Sequence, residues 1–192
     1  VSVPSGAERI DGKGLTVYPG MIDAGTALGL AEIPLGATAT MDVAETGDNN
    51  ANAKAITGIN PHSSHVNVTR VNGITTVLSM PSGGTIAGQA AVINLWGATQ
   101  ADMAVVPAFG LVINFPRVST FGGFGQQQLD FNEAIRQRDR RLDDLKKAFK
   151  DAEAYARVKE AYAADKNLPA PKTDLRLEAM IPYVRGGRPI IF

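Results

Sequence analysis

The stretch Val17-Tyr18-Pro19-Gly20-Met21-Ile22-Asp23-Ala24-Gly25-Thr26-Ala27 decides how the rest of this 192-residue chain is read. Pro19 and Gly20 mark a turn, and residues 21–24 follow it as a short strand. Side chains two apart on a strand project to the same face. Asp23, Gly25 and Ala27 are therefore expected on one face, where a single carboxylate stands beside two positions with no donor atom. A lone carboxylate is not a general acid/base pair, although it can hydrogen-bond backbone or a polar ligand.

The chain has no cysteine, which excludes thiolate metal sites, disulfides and cysteine nucleophiles. Its formal net charge is zero, so there is no electrostatic basis for general nucleic-acid or anionic-membrane binding. Small-molecule or protein partners are expected instead. No apolar run approaches the roughly 18 residues that cross a bilayer. Charge is uneven along the chain: residues 1–120 hold 5 Lys/Arg and 8 Asp/Glu, whereas residues 121–192 hold 14 and 11. The first part, rich in Gly, Thr, Val, Ile and Ala, has the composition of strands and turns, and the second opens on a charged helix.

Strands are expected at residues 15–18, 21–24, 74–80, 91–95 and 110–115, each bounded by Gly, Pro or Asn. Residues 74–80 are nearly all apolar or Thr, the pattern of a strand covered on both faces as in a parallel sheet. Residues 33–60 read as a long loop excursion. Over residues 129–166 the recurrence of Leu142, Leu145, Phe149, Ala152, Ala156 and Tyr162 predicts a long amphipathic helix that packs by this stripe on the outside of a larger body. A second helix should run from Thr173 or Asp174 to Val184, shortened or kinked by Pro182. The apolar tetrad Pro189-Ile190-Ile191-Phe192 reads as a strand cut short, which points to a truncated end.

Residues 17–27 resemble the first barrel strand of the amidohydrolase superfamily, the imidazolonepropionase-like branch in particular, where Pro-Gly-x-Ile-Asp leads into His-x-His. Gly25 and Ala27 stand at the two histidine positions. Thr69-Arg70-Val71-Asn72-Gly73-Ile74-Thr75-Thr76-Val77, followed by Ser82-Gly83-Gly84, resembles the segment leading into that family's second strand. Ile10-Asp11-Gly12-Lys13-Gly14 is similar to the tail of its small flanking β-sandwich.

The resemblance implies an α/β fold. Residues 1–18 would supply a strand of the flanking β-sandwich, and residues 19–192 about three strands of a TIM-like (β/α)8 metal-dependent hydrolase barrel. Three strands cannot close a barrel. The remaining ligands for the zinc that the family carries would lie on later strands, so no cofactor is expected from this chain. The implied partner is the complementary remainder of the barrel or a paralogous amidohydrolase-like chain. The start on Val1, without an initiator Met, fits a cleaved secretory signal, and members of this branch are often exported. A periplasmic or secreted address is therefore expected, with the cytoplasm as the alternative.

Other constellations each have a plainer reading. His62 and His65 could share a metal only if helical, and they lack the three or four ligands of a zinc site; Pro61 and the flanking serines argue for a turn. Asp48-Asn49-Asn50-Ala51-Asn52 opens like a calcium loop, but Ala53 and Ile59 occupy the places of the required Gly and Glu. Ser82, Gly83 and Gly84 could offer backbone N–H groups to an anion at the functional face of a barrel, although Gln89 and Ala90 break the P-loop pattern and turn geometry alone explains the glycines. Phe121-Gly122-Gly123-Phe124-Gly125 reads as a lid or as a linker into the long helix.

Three functions remain open at this point. One is a catalytically degenerate, noncatalytic subunit or fragment of the amidohydrolase class, which acts on non-peptide C–N bonds. A second is an active hydrolase whose metal site is built from later strands. The third is a structural or binding module of a larger exported assembly.

Overall fold

The computed structural model describes residues 3–33, 38–121 and 128–192. After an exposed leading segment the chain enters β1 (Met21–Thr26) and then a long excursion through α1 (Ala55–Gly58) and α2 (Ser64–Val71). That excursion returns the chain to lay β2 (Ile74–Ser79) parallel to β1. Parallel neighbours need a crossover of a dozen or more residues, and residues 27–73 supply it. The turn of the crossover is set by Gly73, which has φ 93°, follows α2, and whose carbonyl accepts Met21 N–H at 2.8 Å.

From β2 the chain meanders. β3 (Ile86–Asn94) pairs antiparallel with β2, and β4 (Ala104–Ile113), reached through the short α3 (Gln100–Met103), pairs antiparallel with β3. The long α4 (Phe131–Ala164) and α5 (Leu175–Val184) then lead to β5 (Ile190–Ile191), parallel to β4. The five strands lie side by side in chain order as a mixed sheet that curls into a half-barrel.

The parallel pairs β1–β2 and β4–β5 are joined through helices, whereas the antiparallel run β2–β3–β4 lies outside the expectation of about three strands of a (β/α)8 arrangement. Residues 80–85 and 95–103 are too short for the helical crossovers that parallel strands require, so β2, β3 and β4 must alternate in direction. β2 accordingly has a parallel neighbour on one side only. It is also not covered on both faces as expected: Val77 and Ser79 are buried, while Thr76 and Leu78 are half-buried. β3 begins at Ile86, earlier than expected: Ala87 and Ala90 carry little strand propensity yet are almost wholly buried. β4 begins at Ala104 and runs through Pro107. Between the pairs Val92↔Val106 and Ala90↔Gly110 this strand carries extra residues, and Pro107 falls in that irregular stretch, where a residue without an N–H is tolerated. Residues 15–18 form no strand and are exposed.

Two clusters bury the helices against the sheet. Leu30, Ile56, Ile59, Val66, Val77, Ile93, Leu95 and Met103 join α1, α2 and α3 to β2 and β3. Ile86, Leu111, Ala152, Met180 and Tyr183, with Leu145 and Phe149 beside them, join α4 and α5 to β3 and β4. A smaller cluster, Ala87, Ala90 and Val112 with Leu78, Met80 and Ile191 against it, completes the packing.

The long helix matches its periodicity closely, since Leu142, Leu145, Phe149, Ala152, Ala156 and Tyr162 are all buried or half-buried. Asp130 caps α4 by accepting Asn132 N–H at 2.9 Å, and Asp174 caps α5 by accepting the N–H groups of Arg176 and Leu177 at 2.9 and 3.1 Å. Pro182 sits in the last turn of α5, which continues to Val184.

An ion pair fastens α4 to α5. Lys159 Nζ donates to both carboxylate oxygens of Glu178, at 2.5 and 2.6 Å, and Tyr155 Oη adds a bond at 3.2 Å. The Lys159 hydrogen bond is the main cause that holds the Glu178 carboxyl below its ordinary 4.5, and the same bond raises Lys159. A carboxylate with a lowered folded-state pKa contributes stability that is present above its unfolded value and lost as pH falls through the folded one. Glu178→Gln should therefore flatten the acid side of the stability profile without affecting the helical content of α4. Thermal unfolding of both proteins between pH 3 and pH 7 checks this, and raising the salt should shrink the difference because the pair is partly exposed.

Candidate functional site

β1 and β2 run in the same direction and finish together, with Thr26 paired to Ser79 and Met80 N–H bonded to Thr26 O at 2.8 Å. Ligand sites on parallel strands lie outside their carboxyl ends, which makes residues 23–27 and 80–84 the place to look. Asp23 is half-buried, and its Oδ1 accepts the N–H of Gly25 at 3.0 Å. That local bond competes with the ladder, and the β1–β2 register shifts between Asp23 and Thr26. The expected single regular face carrying Asp23, Gly25 and Ala27 is therefore broken: Asp23 and Gly25 lie on β1, whereas Ala27 lies just past its end.

A side chain at position 25 would press on the flexible end of one neighbour. A Cβ built on Gly25 meets the tip of Met80 at 3.0 Å. The zinc that the resemblance implies does not fit here. Of the three positions only Asp23 has a side-chain donor, and one of its oxygens is turned back onto Gly25 N–H. Among the described residues no three His, Cys, Asp or Glu side chains gather closely enough to hold a metal ion.

The Ser82-Gly83-Gly84 turn closes against the loop of residues 42–50. Ser82 N–H donates to Val43 O at 2.6 Å, and Thr85 N–H donates to Asp48 O at 2.9 Å. Gly83 and Gly84 have φ 83° and 64°, and a Cβ on Gly84 would lie 2.6 Å from Gly47 O. Asn114 Nδ2 donates to Gly84 O at 2.9 Å. These contacts account for both glycines through backbone conformation and close approach.

The two histidines are separated in role. Ser63 is a buried N-cap for α2 that accepts His65 N–H at 3.2 Å, so His65 lies on a helix rather than in the expected turn, while His62 precedes it. His65 Nε2 lies 3.0 Å from Glu32 O; a carbonyl only accepts, so this nitrogen carries the proton. The Glu32 carboxylate is engaged by Asn60 Nδ2 at 3.1 Å and Ser63 Oγ at 2.8 Å. His62 faces a cleft it shares with Arg70 and Trp96.

Sequence reasoning missed α2, α3 and this cleft. Ser63 as a cap and the capping box formed by Thr99 and Asp102 were available signals. Of the glycine-rich lid segment, residues 122–127 lie outside the described residues.

No family model and no curated protein matches the sequence. The structure does match the crystal structure of an amidohydrolase from Thermotoga maritima MSB8, with a TM-score of 0.72 and 21% identity over 98% of this chain. The fold is amidohydrolase-like. The chain spans 49% of the length of that neighbour. At this identity the likeness speaks for the fold.

The different surroundings of the glycines give a stability test. Gly84→Ala forces a side chain onto backbone at positive φ and should cost about 1–3 kcal/mol. Gly25→Ala displaces only the flexible end of Met80 and should change stability by about 0.5 kcal/mol or less. Urea unfolding of the two variants beside the parent measures both, and equal costs would contradict the packing described.

Proposed function

We propose that this chain forms the first half of an amidohydrolase-like barrel whose hydrolase site is degenerate, and that it serves as a noncatalytic subunit or fragment completed by a complementary half. The observation that carries the reading is the end of β1. Where the resembling family places two imidazoles for a metal-bound nucleophile, this chain has Gly25 and Ala27, with the tip of Met80 set before Gly25. Removing two ligands from a site of few leaves a coordination shell that the rest cannot complete.

The partner half is argued from the two outer strands. Among the described residues β1 borders only β2 and β5 only β4, so each leaves one side unpaired there. Large apolar side chains accompany both: Ile22 is 72% exposed on β1, with Met21, Val17 and Tyr18 also exposed, and Phe192 is 80% exposed beside β5, edge-on to Phe115 at 6.2 Å between ring centres. Unpaired, apolar strand edges invite further strands. A second half-barrel that pairs with both, carried on the same polypeptide or on a paralogous chain, satisfies them. On this reading residues 1–18 join a flanking β-sandwich, and the assembly is periplasmic or secreted.

The second reading, an active hydrolase with its metal held by later strands, draws on the neighbour's other half, which this chain does not match. Metal analysis and small-amide hydrolysis of the assembled protein, before and after chelation, separate the two. Well under one zinc per barrel and no chelator-sensitive turnover are expected. Stoichiometric zinc with chelator-sensitive turnover would overturn the proposal.

A further inference from the structure

At the opposite end of β2 from Ser79, a cleft of about 450 Å³ lies between α2 and the residues that follow β3. Asn94 pairs with Thr76 and Ala91 with Ser79, which sets Trp96 well away from the carboxyl end of β1 and the degenerate site proposed above. The volume is within the range of small-molecule sites. Pro61, Val66, Leu95 and Ala98 contribute apolar lining, while His62, Asn67 and Arg70 contribute polar groups; among the described residues no carboxylate lines the cleft.

Arg70 is held in a fixed pose. Its Nη1 donates to Leu95 O at 2.9 Å, its Nη2 donates to Asn67 Oδ1 at 2.9 Å, and its guanidinium lies 4.7 Å from the centre of the Trp96 ring. A guanidinium has five N–H donors, so three remain after these two bonds. Cation–π contact and hydrogen bonding together remove the rotamer freedom that a surface arginine otherwise loses on binding. Trp96 remains 74% exposed, an uncommon state for an indole.

From this geometry we propose that the cleft binds a small planar carboxylate. The carboxylate meets the free N–H groups of Arg70 in the charge-assisted, forked manner for which guanidinium is suited, with His62 alongside. The planar body rests on the apolar wall and the Trp96 indole. The absence of an acidic side chain in the lining leaves the Arg70 charge for the ligand.

Trp96 is the only tryptophan in the chain, so its emission reports on the cleft directly. Benzoate titrated into the purified chain should quench or shift that emission saturably, while benzamide, the neutral analogue of the same shape, should not. Arg70→Gln should weaken benzoate at least tenfold. Ala98→Glu, at an exposed position that leaves the Arg70 hydrogen bonds intact, should do the same by placing a rival carboxylate in the cleft. The second variant decides the matter if the first fails to fold. No saturable response to benzoate, an equal response to benzamide, or undiminished benzoate binding by Ala98→Glu overturns the proposal. None of these outcomes bears on the metal and turnover tests of the degenerate barrel site.

Discussion

The pairing of Met21–Thr26 with Ile74–Ser79 is the constraint on which the remaining structure depends. Two parallel strands cannot be joined by a tight turn, so their union sends residues 27–73 through a long crossover, part of which pairs with β3 at Ile86 and Gln89. The excursion buries Leu30, Ile56, Ile59 and Val66 against Val77 and Ile93. Once that layer is in place β2 offers only one free side, and the short connections after it allow only antiparallel neighbours. The helices α4 and α5 then cover β3 and β4 through Leu111, Ala152 and Met180. The curl of the sheet leaves β1 and β5 as its two open borders.

Those borders and the end of β1 belong to one physical account. Among the described residues the outer edges of β1 and β5 have no strand neighbour, Ile22 and Phe192 are exposed, and the chain spans about half the length of the matching amidohydrolase structure. Ligand sites on parallel strands lie outside their carboxyl ends, and at that end of β1 Asp23 is partly engaged by Gly25 N–H while the tip of Met80 lies against Gly25. The turn after β2 is held by Ser82 N–H on Val43 O and Thr85 N–H on Asp48 O, with Gly84 packed against Gly47. Arg70 and Trp96, far from that end, form the better organised polar cleft.

Much of this could be read from residue order where the pattern was local and repeated. The α4 stripe recurs often enough that its period stands clear of noise, and Asp174 announced α5 as a capping side chain does. Residues 21–24 and 74–80 were legible because turn residues bracket apolar runs. The first half of β3 was harder to see, since Ala87 and Ala90 acquire strand structure from burial rather than propensity. Pro107 hid the first half of β4, because a proline argues against a strand unless a bulge receives it. Helix α2 was obscured because Pro61 and the serines signal a turn, while Ser63 serves as the cap of the helix that follows.

The sequence by itself determined the identity of the groups at the end of β1: Gly25 and Ala27 carry no donor in any conformation, and no cysteine can replace one. It also determined the long helix, whose hydrogen bonds and apolar stripe are local. Only the tertiary structure decided strand direction, the break in the face after Asp23, the approach of Met80 to Gly25, and the meeting of Arg70 with Trp96. These depend on contacts between segments distant in the chain, and such contacts are set by packing and connection length, which leave no periodic trace in residue order.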